Sequence, residues 1–161
     1  MIPGIELKAL RKSLFFGTRE AASLIGVTNE SQWLKWESGA QEMPEAIAQA
    51  FCYVLDWRNE MLEKARKLLR DNPDLVLHMP WYDSLDDWIS CADHNPQLWR
   101  PDQSICSTLL VEFPKSVYVV RFNLPQYAIW LGSQQDDRNK RVLWASMQLD
   151  KAPTNQNLKS E

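Results

Sequence analysis

The chain has 161 residues, 45% of them apolar, with a formal net charge of −3, which allows one or two small domains with an ordinary core and excludes a protein coated in nucleic acid. No apolar run approaches the roughly 18 residues of a membrane span, and the N-terminal MIPGIELKAL lacks a leader's apolar segment and cleavage pattern. Cys52, Cys91 and Cys106 are an odd set with no CxxC, so the expected setting is reducing and cytoplasmic.

Pro3-Gly4 precedes a helix expected over 5–14, with Ile5, Leu7, Leu10 and Leu14 inward. Thr18 is placed to cap a second helix over 19–25, whose small apolar face is Ala21, Ala22, Leu24 and Ile25. Gly26 ends that helix where a positive φ is cheap, and Val27 is expected to pack in the turn. Thr28 or Asn29 caps a third helix over 29–37, because Thr28 with Ser31 and Asn29 with Gln32 both have N-cap spacing. Trp33 and Trp36, three apart, share one side and face the core, and Ser38-Gly39 closes the helix. Two short helices joined by a tight turn can lay the second in the major groove of DNA.

Pro44 opens a fourth helix with Ala46, Ile47, Ala50, Phe51, Val54 and Leu55 inward, and a further helical stretch runs from Trp57 to Leu69. Its outer side carries Arg58, Lys64, Arg66, Lys67 and Arg70. Glu60–Lys64 and Glu63–Lys67 are i,i+4 pairs that favour a solvated surface helix over a nucleic-acid contact. Asp71-Asn72-Pro73 ends this stretch and marks the domain boundary. Charge divides at the same place: residues 1–70 carry +1 and residues 71–161 carry −4.

Beyond the boundary, 75–79 reads as a strand, and Ser84 caps a short helix through about Cys91. Pro101 starts a helix over 101–112, and 117–122 is a second strand by β-branched and aromatic content. Ala128–Leu131 and Arg141–Met147 are expected as further strands, and the polar residues from 148 as a loose tail.

The order of features over residues 5–56 resembles the lambda-repressor-like (Xre/Cro) helix-turn-helix family. The shared points are Arg11, the A-A-x-x-I-G of Ala21–Gly26, the W-E-S-G of Trp36–Gly39, and Pro44 at the next helix. W-L-K-W-E-S-G and the later Leu85-Asp86-Asp87-Trp88 look more specifically like the YdiL-like branch, which includes anti-CRISPR-associated autorepressors. Gly26 to Trp36 spans one residue more than is usual, and Trp33 stands where that class has Ile or Val.

The resemblance implies a mainly α protein. An N-terminal five-helix lambda-repressor-like DNA-binding domain over 1–70 precedes a small α+β dimerisation domain over 74–147 and a flexible tail over 148–161. It also implies a dimeric repressor on a palindromic double-stranded operator, without cofactor or catalytic role. The candidate DNA-contacting set is Thr18, Arg19, Asn29, Glu30, Ser31, Gln32, Lys35 and Ser38. Gln32 suits adenine, Lys35 guanine or phosphate, Ser31 either edge, and Glu30 cytosine or the helix N-terminus. Thr18, Arg19 and Ser38 suit backbone phosphates. Arg11 and Glu37 form a structural ion pair tying the first helix to the end of the third.

Other chemistry finds little support. Cys91, His94 and Cys106 lack the paired spacing of a zinc site, and five glycines leave little for a phosphate-binding loop. The aromatic second half, with Trp81, Tyr82, Trp88, Trp99, Trp130 and Trp144, is read as core or subunit interface before a stacking surface for single-stranded RNA. The alternative to a regulator is an antitoxin-like interaction module that uses the two-helix unit as scaffold.

Overall fold

A computed structural model of the protein describes residues 2–91 and 93–149. Among these, the chain runs α1 (Gly4–Ser13), α2 (Thr18–Leu24), α3 (Glu30–Glu37), α4 (Glu45–Asp71), β1 (Leu77–Trp81), α5 (Leu85–Ile89), a 3-10 turn (Pro96–Leu98), α6 (Trp99–Glu112), β2 (Val117–Arg121), α7 (Leu124–Leu131) and α8 (Arg138–Leu149). The fold is mainly helical, with one small parallel sheet in which Leu77 pairs with Val117 and Trp81 with Arg121.

Four helices, not five, precede Asn72, because Glu45–Asp71 is one continuous helix of 27 residues. It holds no Gly or Pro, and Leu, Met, Glu, Lys, Arg and Ala are good helix formers. The helix spans both hydrophobic clusters. Its Phe51 and Val54 pack with Trp33 and Trp36, and its Leu62 and Leu69 pack with Met79, Ile105 and Leu109.

Two segments expected as strands are helices. Asn123 caps α7, its side chain accepting from Gln126 N at 3.0 Å, and Pro125 occupies the first turn, where its missing N–H costs nothing. Asp137 accepts from Lys140 N at 2.9 Å at the start of α8, and Arg141, Trp144 and Ala145 then fall on one buried face at helical spacing. Short apolar runs such as Ala128–Leu131 do not distinguish strand from helix by composition, and here the caps decide. The tail expected over 148–161 lies outside the described residues, except that 148 and 149 belong to α8.

The basic outer side of α4 is engaged. Arg58 donates to Ser104 Oγ and Thr108 Oγ1 of α6, at 3.2 and 3.1 Å, and Arg66 pairs with Glu112 of α6 and with Glu63. Lys64 meets Glu60 at 2.5 Å as expected, but Lys67 pairs with Asp71 rather than Glu63.

Candidate nucleic-acid interface

The placement of α3 follows from which of its side chains can be buried. Trp33, Trp36 and Glu37 are buried, so the helix turns one face to α1, α2 and α4 and the other outward. Trp33 packs edge-on against Trp36 with ring centroids 5.7 Å apart, and 6.1 Å from Phe51 of α4. Asn29 caps the helix by accepting from Gln32 N at 2.9 Å. Gly39, at φ 74°, takes the left-handed conformation that lets the chain leave.

Glu37 is the buried anchor. Its Oε1 accepts from Arg11 Nε at 2.5 Å and from Trp33 Nε1 at 2.7 Å, and its Oε2 accepts from Arg11 Nη2 at 3.2 Å. Arg11 Nη1 donates to Phe16 O at 2.7 Å. One carboxylate therefore joins α1, the α1–α2 turn and the end of α3. Gly4 completes this junction: a Cβ there would stand 2.6 Å from both the Trp36 and Glu37 carbonyl oxygens.

The turn between α2 and α3 differs from expectation at two residues. The positive φ, 46°, belongs to Val27, whose side chain is 84% exposed rather than packed. Gly26 instead permits close approach, since a Cβ would lie 3.0 Å from Ala22 O and 3.1 Å from Trp33 Cε3. The N-cap of α2 is Gly17, whose N–H is met by Glu20 Oε2 at 2.9 Å, so Thr18 is the first helical residue. Of the four apolar residues expected inward on α1, Ile5 is 73% exposed, Leu7 and Leu14 are buried, and Leu10 is half-buried.

The outward face of α3 brings Glu30, Ser31, Leu34, Lys35 and Ser38 together around one shallow depression. Ser31, Leu34, Lys35 and Ser38 are exposed, and Ser38 Oγ donates to Lys35 O at 3.1 Å. Gln32 stands apart from that group, its amide donating to Gln41 Oε1 at 2.8 Å. Asn29 spends its side-chain oxygen on the cap. Arg19, at the start of α2, reaches Glu30, with Nε 3.6 Å from Oε2, and so sits beside the α3 N-terminus. Sequence reading missed Gln41, whose pairing with Gln32 requires the chain to fold back after Gly39, and it placed Val27 inside although the turn points it out.

The α2–α3 unit is also held from the far half of the chain. Arg100 of α6 lies over the Trp99 ring at 4.0 Å and grips Glu20, with Nη2 2.5 Å and Nε 3.0 Å from Oε1. Burial works against the Glu20 charge, but the Arg100 and Gly17 donors prevail and hold its carboxyl below the usual range. Gln97 Nε2 donates to Leu24 O at 2.8 Å.

Two comparisons with known proteins bear on this arrangement. The Aca2/YdiL-like family model matches residues 2–115, from α1 through α6. The Aca2 repressor of Pectobacterium phage ZF40 is 33% identical over 108 residues, which are 66% of this chain and 91% of that protein.

Proposed function

The chain belongs to the Aca2/YdiL-like family, and on that premise we propose that it is a sequence-specific DNA-binding repressor that lays α3 in the major groove. The observation that carries the reading is the exposed row Ser31, Leu34, Lys35 and Ser38 on a short helix whose other face is fixed by Trp33, Trp36 and the Arg11–Glu37 pair. A helix so braced presents its side chains to a groove without paying to order them. The relative's description as a repressor supports the regulatory half of the reading.

In this account Lys35 donates to a guanine edge or a phosphate, Ser31 reaches a base edge, and Leu34 lies against a thymine methyl. Gln32 reads adenine by exchanging its bond to Gln41 for the base. Thr18, Arg19 and Ser38 meet backbone phosphates, and Asn29 and Glu30 keep the helix N-terminus formed beside them. One such unit covers a single half-site, so the protein acts as a dimer on an inverted repeat with half-sites about one helical turn apart. Ile129, Val111 and Leu143 each expose a large apolar side chain in the second half, the half to which the dimer contact is assigned here.

The test is binding of the full chain to its own upstream DNA and to a scrambled duplex across a salt titration. Preference for the upstream duplex, with affinity falling steeply as salt rises, is expected. Equal weak binding to both would reject sequence-specific repression. Sedimentation showing only monomer at micromolar protein would reject the dimer.

A further inference from the structure

A cavity of about 560 Å³ lies between α4, β1, α6 and α8 and shares no lining residue with the outward face of α3. Its walls are mostly apolar: Trp57 and Met61 come from α4, Met79 from β1, and Ile105 from α6. The volume falls within the roughly 300–1,000 Å³ of small-molecule sites. Arg138 and Val142 of α8 form one side.

One carboxyl in this cavity makes no hydrogen bond among the described residues and has only a long ion pair, to Arg138. Asp102, in the first turn of α6, is 8% exposed and lines the space. Among the described residues its carboxyl accepts no hydrogen bond, and Arg138 Nη2, 4.0 Å from Oδ1, stands beyond hydrogen-bond reach. Burial pushes the carboxyl up to about 6, against the pull of Arg138 and Arg141, so near neutral pH it still carries charge, with no hydrogen-bond donor on it among the described residues. Arg138 is half exposed and reaches Met61 Sδ at 3.5 Å, and the other charged groups at the cavity are paired. Arg141 grips Asp93 with Nη2 at 2.7 and 2.8 Å and meets His94 Nε2 through Nη1 at 2.6 Å, while Lys64 pairs with Glu60.

We propose that this cavity binds a flat heteroaromatic molecule that presents two adjacent N–H donors, an amidine-type edge, to the Asp102 carboxylate and stacks its rings among Trp57, Met61, Met79 and Ile105. Two parallel donors satisfy both carboxylate oxygens at once and are charge-assisted. The planar body buries its faces against the aromatic and thioether walls. A ligand acid is repelled by Asp102, and a compact ammonium leaves the apolar volume unfilled. The site is independent of the DNA-binding reading.

The probes are 2-aminobenzimidazole and 2-aminoquinoline, titrated calorimetrically into the full chain, with 1-methylindole as a ring of similar size that has no donor. The variants are Asp102→Asn, which keeps shape and removes the charge, and Met61→Trp, which fills the cavity. Thermal melts establish that each is folded. The expected result is saturable one-to-one binding of a donor-bearing probe, with Kd below about 1 mM, weakened at least about tenfold in each folded variant and for 1-methylindole. No saturable binding of either probe to the native chain would overturn the proposal. So would binding that survives in a folded variant, or 1-methylindole binding as tightly as the probes.

Discussion

Replacing Glu37 with alanine removes the acceptor for three donors, Arg11 Nε, Arg11 Nη2 and Trp33 Nε1. Arg11 and Trp33 are both buried, so neither finds water. Leaving one partner of a buried ion pair uncompensated costs about 3–5 kcal/mol, and an orphaned buried N–H costs about 1–3 kcal/mol. Arg11 keeps its bond to Phe16 O, which holds the total toward the low end, roughly 4–6 kcal/mol. For a chain of this size about 1 kcal/mol moves the midpoint by roughly 2–4 °C, so a fall of about 10–20 °C is expected. Differential scanning calorimetry of the native chain, Glu37→Ala and Glu37→Gln measures it, and glutamine, which still offers one acceptor, should fall between. Glu112→Gln is the control, because the Arg66–Glu112 pair is solvated and pairs of that kind contribute about 0–1 kcal/mol. A Glu37→Ala midpoint no lower than that of Glu112→Gln would refute the assignment of Glu37 as the anchor of α3.

Gly4→Ala should destabilise by about 1–3 kcal/mol in a denaturant melt, because the new Cβ meets two backbone oxygens at 2.6 Å and pushes α1 from the end of α3. Asp102→Asn should stabilise the protein in alkaline and neutral buffer but not in acid. The Asp102 carboxyl is raised in the folded chain, so the folded state holds the proton more tightly. Native stability therefore falls as pH rises from about 4 to about 6 and stays lower above it, by roughly 1–3 kcal/mol. Paired melts near pH 4 and near pH 8 test this, and an equal effect at both would contradict it. Arg100→Ala should cost about 1–2 kcal/mol by losing the half-buried grip on Glu20, read by melting at neutral pH.

The first three helices were legible because their signals are local. The two cap spacings, of which Asn29–Gln32 is the one that forms, the two tryptophans at helical spacing and Gly39 after the last turn each act within a few residues. The errors share a cause as well. Gly26 and Val27 are neighbours, and composition assigns the left-handed residue to glycine. Yet packing of Trp33 against Gly26 reserves that position for close approach and moves the positive φ to Val27. In the second half, α7 and α8 were hidden because short apolar runs do not separate helix from strand, while Asn123 and Asp137 start them through cap bonds. The hold of Arg100 on Glu20 and the cavity at Asp102 join residues distant in sequence, and nothing in local spacing announces them. On α3 itself, spacing separated the buried from the exposed side, but the engagement of Gln32 with Gln41 depends on how the loop after Gly39 folds back.

The central claim is that the outward face of α3 reads DNA. Fluorescence anisotropy of the full chain on its own upstream duplex and on a scrambled duplex, for the native protein, Ser31→Ala, Lys35→Ala and the distant surface variant Lys115→Ala, tests it most directly. The account predicts that Ser31→Ala loses about 1–3 kcal/mol of preference for the upstream duplex and that Lys35→Ala loses preference through a guanine contact or affinity for both duplexes through a phosphate contact, while Lys115→Ala keeps the native preference and affinity. Native preference and native affinity retained in both α3 variants, with melting midpoints unchanged, would contradict it.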